Sequence, residues 1–325
     1  TMEGISRGRD ALDVQANLSS SYLCKDRSLR GCDLTCTTKE IGFRLNKTPD
    51  FPQGRYANTR PVSKDSRGEK VTCSDEKYRV PVVIQIFSAQ ASTQAMYELS
   101  IMNDLNGLHG TQKMLRAFDH SGCLCMVFDV PSETMRSVLL SSRSRDGSAR
   151  TPFSPSTLRE LAAQLADAVR YIHSKGIVHT DISPSTILLA SDPARRIRPI
   201  ITDFGAAVRS THARSLRRRQ IGSPQYRSPE AVLHADWNFP TDIWSLGAVL
   251  LEARLGRSPL PPAADGPIIL LHAMAKLAGR PLPPTLTVQA LANLTEATRP
   301  LFALDPAGCP VLRRPPPAAA VGGLA

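Results

Sequence analysis

Two short segments carry the aspartates best placed to do chemistry. They are His179-Thr-Asp181 and Asp203-Phe-Gly205, and Asp203 follows Asp181 by 22 residues. A carboxylate on a loop can accept a proton from a hydroxyl group or bind a hard cation such as Mg²⁺. An aspartate met alone is more often a turn or cap residue. The order and spacing of the two segments therefore favour a chemical role over a structural one.

Two further motifs follow in the chain, and together the four resemble the protein-kinase superfamily. The later motifs are Ser228-Pro-Glu230 and Asp242-Ile-Trp-Ser-Leu-Gly247. Within the superfamily the chain is most similar to the LAMMER (CDC-like) kinases of the CMGC group. This closer likeness rests on His179–Asp181, Tyr226–Glu230, Trp237–Asp242 and, in a degraded form, Leu271–Pro283.

The resemblance implies an α+β protein-kinase fold with a small β-rich N-lobe and a larger helical C-lobe. It also implies ATP and Mg²⁺ as cofactors and a protein as substrate or partner, because the family transfers phosphate by positioning and charge neutralisation. At the matching positions Asp181 is the catalytic base, Asp203 binds Mg²⁺, and Glu98 is the partner of a lysine on the third strand. The other positions that the resemblance assigns to the cofactor are Gly68, Gln85 and Val130, with Thr186 at the second metal position.

Several of these positions depart from the family's pattern. Gln85 stands where the family has the lysine that holds the α- and β-phosphates, and an amide donates hydrogen bonds without supplying charge. In the stretch that corresponds to the Gly-rich loop, Ser63-Lys-Asp-Ser-Arg-Gly68, only the third glycine remains. Asp65 would bring a negative charge towards the phosphates. Thr186 replaces an asparagine, and its hydroxyl is a poorer magnesium ligand than an amide oxygen.

The elements expected to position the N-lobe residues follow from hydrophobic periodicity. A run of β-branched residues predicts a strand at Tyr78–Phe87. Apolar residues at helical spacing predict a helix over Thr93–Leu105, and two strands are expected at Met114–Phe118 and Leu124–Val130. The order in this half of the chain is therefore strand, helix, strand, strand.

The C-lobe pattern is mainly helical. A capping box at Thr157-Leu-Arg-Glu160 predicts the start of a helix that ends before Gly176. The stretch Ile243–Leu255 is apolar nearly all round, which predicts a buried central helix. Ile268–Leu277 and Leu286–Leu304 are expected to form two more helices.

These elements predict four regions along the chain. They are a loosely structured N-terminal extension at 1–50, an N-lobe at 51–131, a C-lobe at 132–312 and a low-complexity tail at 313–325. The C-lobe is short for a full set of late helices, which suggests truncation. Cys309 also stands where the resemblance places the arginine partner of Glu230.

Composition restricts the class of protein. The 325 residues contain no run of 18 apolar residues and no apolar segment near the first residue, so neither a membrane span nor a signal peptide is expected. The seven cysteines form no CxxC pair, which fits a reducing compartment. The resemblance to the LAMMER kinases implies an intracellular location, nuclear or cytoplasmic. The formal charge of +11 favours acidic partners. Because the arginines are spread out and aromatic content is 5%, nucleic acid is not the expected partner.

Three functions account for these features to different degrees. The losses at phosphate and metal positions favour a pseudokinase, a kinase-like binding or regulatory module with weak or absent phosphotransfer. The alternative is a divergent active Ser/Thr or dual-specificity kinase, since Asp181, Asp203 and Glu98 are retained together. In that case Lys64 or Lys70 has to replace the missing lysine. A nucleic-acid-binding protein is supported by net charge alone.

Overall fold

The computed structural model describes residues 55–130, 133–142, 151–191, 196–217, 219–261, 266–292, 299–304 and 310–313. The predicted extension at 1–50, the tail beyond residue 313 and Cys309 lie outside the described residues. The chain divides into two compact units. Among the described residues, the first contains 55–99 together with Met114–Val130, and the second contains Ser100–Lys113 together with those from 133 onward.

The first unit is built on a five-stranded antiparallel sheet in the order β1-β2-β3-β5-β4. Its elements are β1 (Tyr56–Asp65), β2 (Gly68–Asp75), β3 (Val80–Phe87), β4 (Met114–His120), β5 (Cys123–Asp129) and the start of helix α1 (Ser92–Leu105). The predicted order of strand, helix, strand, strand is confirmed. The first two strands were not predicted, because β1 is mostly exposed and its pairing with β2 is interrupted by irregularities.

The two faces of β3 have different surroundings, because side chains alternate across a strand. Val82, Ile84 and Ile86 point into one core with residues of β2 and β5. Val83 and Gln85 therefore lie on the opposite face. This alternation decides which residues of the neighbouring strands can act together with Gln85.

The second unit is mainly helical and is organised around helix α5. Its elements in chain order are β6 (Glu133–Thr134), α2 (Met135–Ser141), α3 (Pro155–Ser174), β7 (Ile177–Val178), β8 (Ile187–Ser191), β9 (Ile197–Ile201), β10 (Val208–Arg209), α4 (Pro229–Val232), α5 (Phe239–Leu255), α6 (Pro267–Leu277), α7 (Pro284–Ala292), β11 (Phe302–Leu304) and β12 (Pro310–Leu312). Short strand pairs flank the loops that carry Asp181 and Asp203.

Helix α3 begins earlier than the sequence indicated. Ser154 is its N-cap and accepts a hydrogen bond from the backbone N–H of Thr157 at 3.1 Å. The predicted capping box with Thr157 as the cap is therefore wrong, because Ser154 followed by Pro155 starts the helix three residues sooner. The end of the helix before Gly176 is confirmed.

Two expectations for the later helices need correction. Helix α5 is central, but it is not buried all round, since Ile243 is 55% exposed and Gly247 is also exposed. The helix predicted over Leu286–Leu304 is shorter, because Phe302–Leu304 pairs with β12 as a strand. None of the helices in the described part of the chain combines the length and apolar character that a bilayer span requires.

Candidate active site

The turn between β1 and β2 ends at Gly68, which the sequence resemblance assigned to the Gly-rich loop. Its φ is +152°, and a Cβ there would lie 2.0 Å from the carbonyl oxygen of Ile86. No other residue fits this close approach of β2 to β3. The Asp65 carboxylate closes the turn by accepting the backbone N–H groups of Arg67 at 2.8 Å and Gly68 at 3.2 Å. Backbone N–H groups of a Gly-rich turn can bind phosphate, but here the Asp65 carboxylate already accepts two of them.

Gln85 is the buried polar residue of β3. It is 4% exposed, and neither polar atom of its amide has a hydrogen-bond partner among the described residues. The strand register places Gln85 opposite Lys70 on β2. Directly opposed residues of antiparallel strands have their side chains on the same face, with Cβ atoms about 5 Å apart. Lys70 is therefore a cation on the face of Gln85.

Lys64 lies on the other face of the same sheet. It pairs with Glu69, which in turn pairs with Ile86. Ile86 belongs to the core on the face opposite Gln85. Of the two lysines that the sequence suggested, only Lys70 shares a face with Gln85.

Glu98 on α1 contacts a cation that the sequence did not indicate. Glu98 is 7% exposed, and its carboxylate lies 3.7 Å from the guanidinium of Arg67. Arg67 also forms an ion pair with Asp65 at 3.1 Å. The positive charge beside Glu98 thus comes from the β1–β2 turn and not from β3. No local sequence signal identifies this contact, because it depends on how the turn folds towards α1.

The remaining predicted cofactor position of the first unit is Val130. It directly follows β5 and is 41% exposed. Val83 and Phe128 are buried and opposite each other on the face that carries Gln85. On this face, Gln85 and Lys70 are therefore followed by the buried apolar pair of Val83 and Phe128, which suits a flat aromatic group.

In the second unit, the loop with Asp181 is held by the buried carboxylate of Asp242. This carboxylate accepts the backbone N–H groups of His179 at 2.8 Å and Thr180 at 2.9 Å. It also contacts the ring nitrogen of His173 at 2.9 Å. Asp242, at the start of α5, therefore braces this loop from the central helix.

Thr180 adopts a strained conformation within the loop. Its φ is +68°, which is rare for a β-branched residue. Besides the bond from its N–H group to Asp242, its hydroxyl donates to the carbonyl of Ala206 at 2.8 Å. These bonds fix the loop just before Asp181.

Asp181 is oriented by Ser223, a residue that the sequence did not single out. Its Oδ1 accepts hydrogen bonds from the backbone N–H of Ser223 at 2.7 Å and from the hydroxyl of Ser223 at 2.9 Å. Gly222 allows this approach, since its φ is +72° and a Cβ would lie 3.0 Å from the carbonyl oxygen of Thr180. With Oδ1 held in this way, Oδ2 is the oxygen that can accept a proton.

Thr186 uses its hydroxyl inside the same loop. The oxygen accepts the N–H of Ser183 at 3.0 Å and lies 3.0 Å from the carbonyl oxygen of Asp181. It also lies 3.1 Å from the carbonyl oxygen of Ser183. An asparagine could make such a bond with its amide nitrogen and still present its amide oxygen to a metal. A single hydroxyl engaged in this way is poorly placed to do both.

Asp203 stands at the start of a short turn of 3₁₀-helix and is partly exposed. Its φ of +62° and ψ of 70° are left-handed, which only a tightly constrained loop maintains in a residue other than glycine. The next residue, Phe204, is buried and packs edge-on against the ring of His179, with centroids 4.9 Å apart. His179 is buried and also contacts the carbonyl of Thr202 at 3.0 Å, so its role is in packing and hydrogen bonding.

A buried polar network fixes the segment that follows Ser223. The hydroxyl of Tyr226 donates to Glu252 on α5, and the guanidinium of Arg136 contacts both of these side chains. Burial and the neighbouring Glu252 carboxylate raise the pKa of Tyr226 far above its ordinary value. Sequence patterns did not reveal this network because its members are far apart in the chain.

The predicted site residues therefore fall into two groups. Gly68, Gln85, Glu98 and Val130 belong to the first unit, whereas Asp181, Thr186 and Asp203 belong to the second. Within the described residues no cluster of three or more His, Cys, Asp or Glu side chains could hold a metal unaided. A magnesium ion at Asp203 would need most of its ligands from phosphate oxygens and water, which is how Mg²⁺ is commonly held in phosphoryl-transfer sites.

A protein-family model and several curated proteins match this chain. The family model "Protein kinase domain" matches residues 62–291. Protein kinases of this family use ATP and Mg²⁺. The chain is similar to dual specificity protein kinase CLK1 of Mus musculus, with 27% identity over 245 residues that cover 68% of this chain and 49% of the relative.

Two further relatives are similarly distant. Serine/threonine-protein kinase AFC1 of Arabidopsis thaliana is 26% identical over 266 residues, covering 73% of this chain and 54% of the relative. Dual specificity protein kinase KNS1 of Saccharomyces cerevisiae is 26% identical over 242 residues, covering 64% of this chain and 32% of the relative. The chain thus spans about half the length, or less, of these curated relatives. It belongs to the protein kinase family, and these relatives place it with the LAMMER-type kinases of the CMGC group.

Proposed function

We propose that this kinase domain is a pseudokinase, a protein-binding or regulatory module with weak or absent phosphotransfer. The observation that carries the proposal is Gln85. A buried neutral amide stands at the position from which the family directs a lysine at the phosphates. Because phosphoryl transfer depends on charge stabilisation, the loss of this cation removes a large share of the catalytic effect.

The β1–β2 turn supports the same conclusion. Asp65 accepts the N–H groups of the turn, and the single cation of Arg67 is shared between Asp65 and Glu98. The N–H donors of the turn and the cation of Arg67 are therefore already paired within the protein. An incoming triphosphate would have to compete with the Asp65 carboxylate, which repels it.

The residues at the metal position, Thr186 and Asp203, also support the pseudokinase proposal. The Thr186 hydroxyl is engaged by the backbone of its own loop, so Asp203 is left as the main protein ligand for magnesium. A single carboxylate holds Mg²⁺ weakly without well-positioned phosphates. Weak phosphate binding and weak metal binding reinforce each other.

The second candidate function is a divergent active Ser/Thr or dual-specificity kinase. It is favoured by Lys70, whose side chain shares a face with Gln85, and by Asp181, which Ser223 holds in a defined orientation. If the ammonium of Lys70 reaches the phosphates, it supplies the missing charge from β2. The names of the curated relatives fit this candidate, and the substrate would be a protein hydroxyl.

Thermal unfolding with ATP separates the two candidates. A ligand of the native state raises the melting temperature according to its concentration relative to Kd. We expect little or no shift with millimolar ATP and Mg²⁺, and the same behaviour from Asp203→Ala. A clear magnesium-dependent shift that Asp203→Ala abolishes would instead support the active kinase.

A further inference from the structure

An apolar groove of 690 Å³ lies along α5 in the second unit, apart from the loop that carries Asp181. Its floor is formed by residues of α5 and its side by the end of α6. The residues that matter here are Phe239, Ile243, Gly247, Leu251, Leu277 and Glu230. Of these, only Glu230 has an ionisable side chain.

The α5 residues of the groove form a single row. Phe239, Ile243, Gly247 and Leu251 follow one another at intervals of four, which is the ridge against which a second helix packs. Gly247 interrupts the ridge, and a Cβ added there would contact nothing within 4 Å. A notch of this kind lets another helix approach closely. The 55% exposure of Ile243 shows that, in the part of the chain that the structure describes, this row is left open to solvent.

Glu230 gives the groove one charge that the described residues do not neutralise. No Lys, Arg or His in the described ranges forms an ion pair with it. Burial raises the pKa of Glu230 above its ordinary value, although hydrogen bonds from its own backbone and from Ser228 favour the ionised form. A half-buried carboxylate without a cation among the described residues is costly, and a cation brought by a partner would reduce that cost.

We propose that this groove binds an amphipathic helix of a partner protein that carries one arginine for Glu230. The open ridge and its notch specify a helix with an apolar face, and the lone carboxylate specifies a single cation. A guanidinium suits the position better than an ammonium, because its planar fork can bind a carboxylate with two hydrogen bonds. This interface is separate from nucleotide chemistry and holds whether or not the domain transfers phosphate.

The test is a selection from a displayed library of helical peptides of about sixteen residues, roughly four turns. The target is the full chain, and Gly247→Leu serves as the counter-target because it fills the notch without lowering helix propensity. Binding of the selected peptide is then measured by fluorescence anisotropy. The variants are Ile243→Asp, Glu230→Gln and Leu140→Asp, the last being a control on α2 with 50% exposure, close to that of Ile243.

We expect enrichment of helices with an apolar stripe and one arginine at a constant position. Ile243→Asp and Gly247→Leu should each weaken binding at least about tenfold, the effect of losing about 1.4 kcal/mol, and Leu140→Asp should not. Replacing the peptide arginine by glutamine should weaken binding to the wild type but not to Glu230→Gln.

Three results would overturn the proposal. They are the absence of enrichment over the counter-target, binding that Ile243→Asp leaves intact, and equal binding of the arginine and glutamine peptides. Self-association of the wild type that Ile243→Asp abolishes would assign the groove to a second copy of the chain instead. Thermal unfolding of each variant shows that the fold is retained, and Asp203→Ala should leave peptide binding unchanged.

Discussion

Lys70 lies directly opposite Gln85 in the antiparallel pair formed by β2 and β3, so the two side chains share one face of the sheet. The cation that the family places on β3 therefore has a counterpart one strand away. The other cation near this region, Arg67, is paired with Glu98 and Asp65. The site thus retains charge but distributes it differently, and this redistribution can be tested residue by residue.

The residual affinity for ATP is expected to depend on Lys70 and not on Lys64. A hydrogen bond to a charged group contributes about 1.5–3 kcal/mol, so Lys70→Met should weaken ATP binding at least about tenfold. Lys64→Met is the matched control, because its side chain lies on the opposite face. Titration with a fluorescent ATP analogue measures both variants, and equal effects would refute the assignment.

Arg67 is expected to stabilise the first unit through Glu98. In Arg67→Met the nearly buried Glu98 carboxylate loses its cation, which should lower the free energy of unfolding by about 1–2 kcal/mol. Arg60→Met, an exposed arginine of β1, should change it by less than about 0.5 kcal/mol. Urea unfolding of the three proteins gives the comparison. A loss no larger than that of Arg60→Met would show that the contact is not stabilising.

Glu230 should make the stability of the domain fall as pH rises. Its pKa is raised in the folded chain, so the unfolded chain loses this proton first when pH increases above the ordinary value of 4.5. The contribution of Glu230 to stability is therefore complete below pH 4.5 and is lost as pH rises through the folded pKa. Glu230→Gln should consequently be more stable than the wild type at pH 7.5 and show no such gain at pH 4.5.

Urea unfolding at the two pH values measures this difference. Glu160→Gln on α3 is the control, since Glu160 is exposed. A Glu230→Gln variant that is less stable than the wild type at pH 7.5 would mean that the carboxylate is satisfied as it stands.

Two substitutions should restore phosphotransfer if the losses have been identified correctly. Gln85→Lys returns the cation to β3, and Thr186→Asn returns an amide oxygen for the second metal. Removing one such electrostatic group commonly costs about 10²–10³ in rate, so the double variant should gain at least about 10²-fold over the wild type. The same pair of changes combined with Asp181→Asn should gain nothing, which excludes a contaminating kinase.

The loop motifs were predictable from the sequence because their geometry is local. His179, Asp181 and Asp203 stand on short connections between strands, and the carboxylate of Asp242 reaches the loop from the start of the central helix. Ser223 gave no comparable signal. A serine before a proline is ordinary in turns, and only the folded segment brings it to Asp181.

The other features that the sequence did not predict are contacts and element boundaries that depend on tertiary packing. The partner of Glu98 was not predictable, because Arg67 reaches it only through the β1–β2 turn. Apolar residues near Phe302 fit a helical period, yet pairing with β12 makes that segment a strand. The exposure of Ile243 was missed for a related reason, since an apolar helix predicts burial whether or not a neighbour covers it.

Whether this domain transfers phosphate is decided by comparing the wild type with a variant that lacks the Asp181 carboxylate. The rate of phosphate transfer from ATP to a serine-containing protein substrate is measured for the wild type and for Asp181→Asn, with magnesium present. We expect the two rates to agree within about tenfold, because the electrostatic support that Asp181 needs is missing. A wild-type rate several hundred times that of Asp181→Asn would show that the domain is an active kinase and not a pseudokinase.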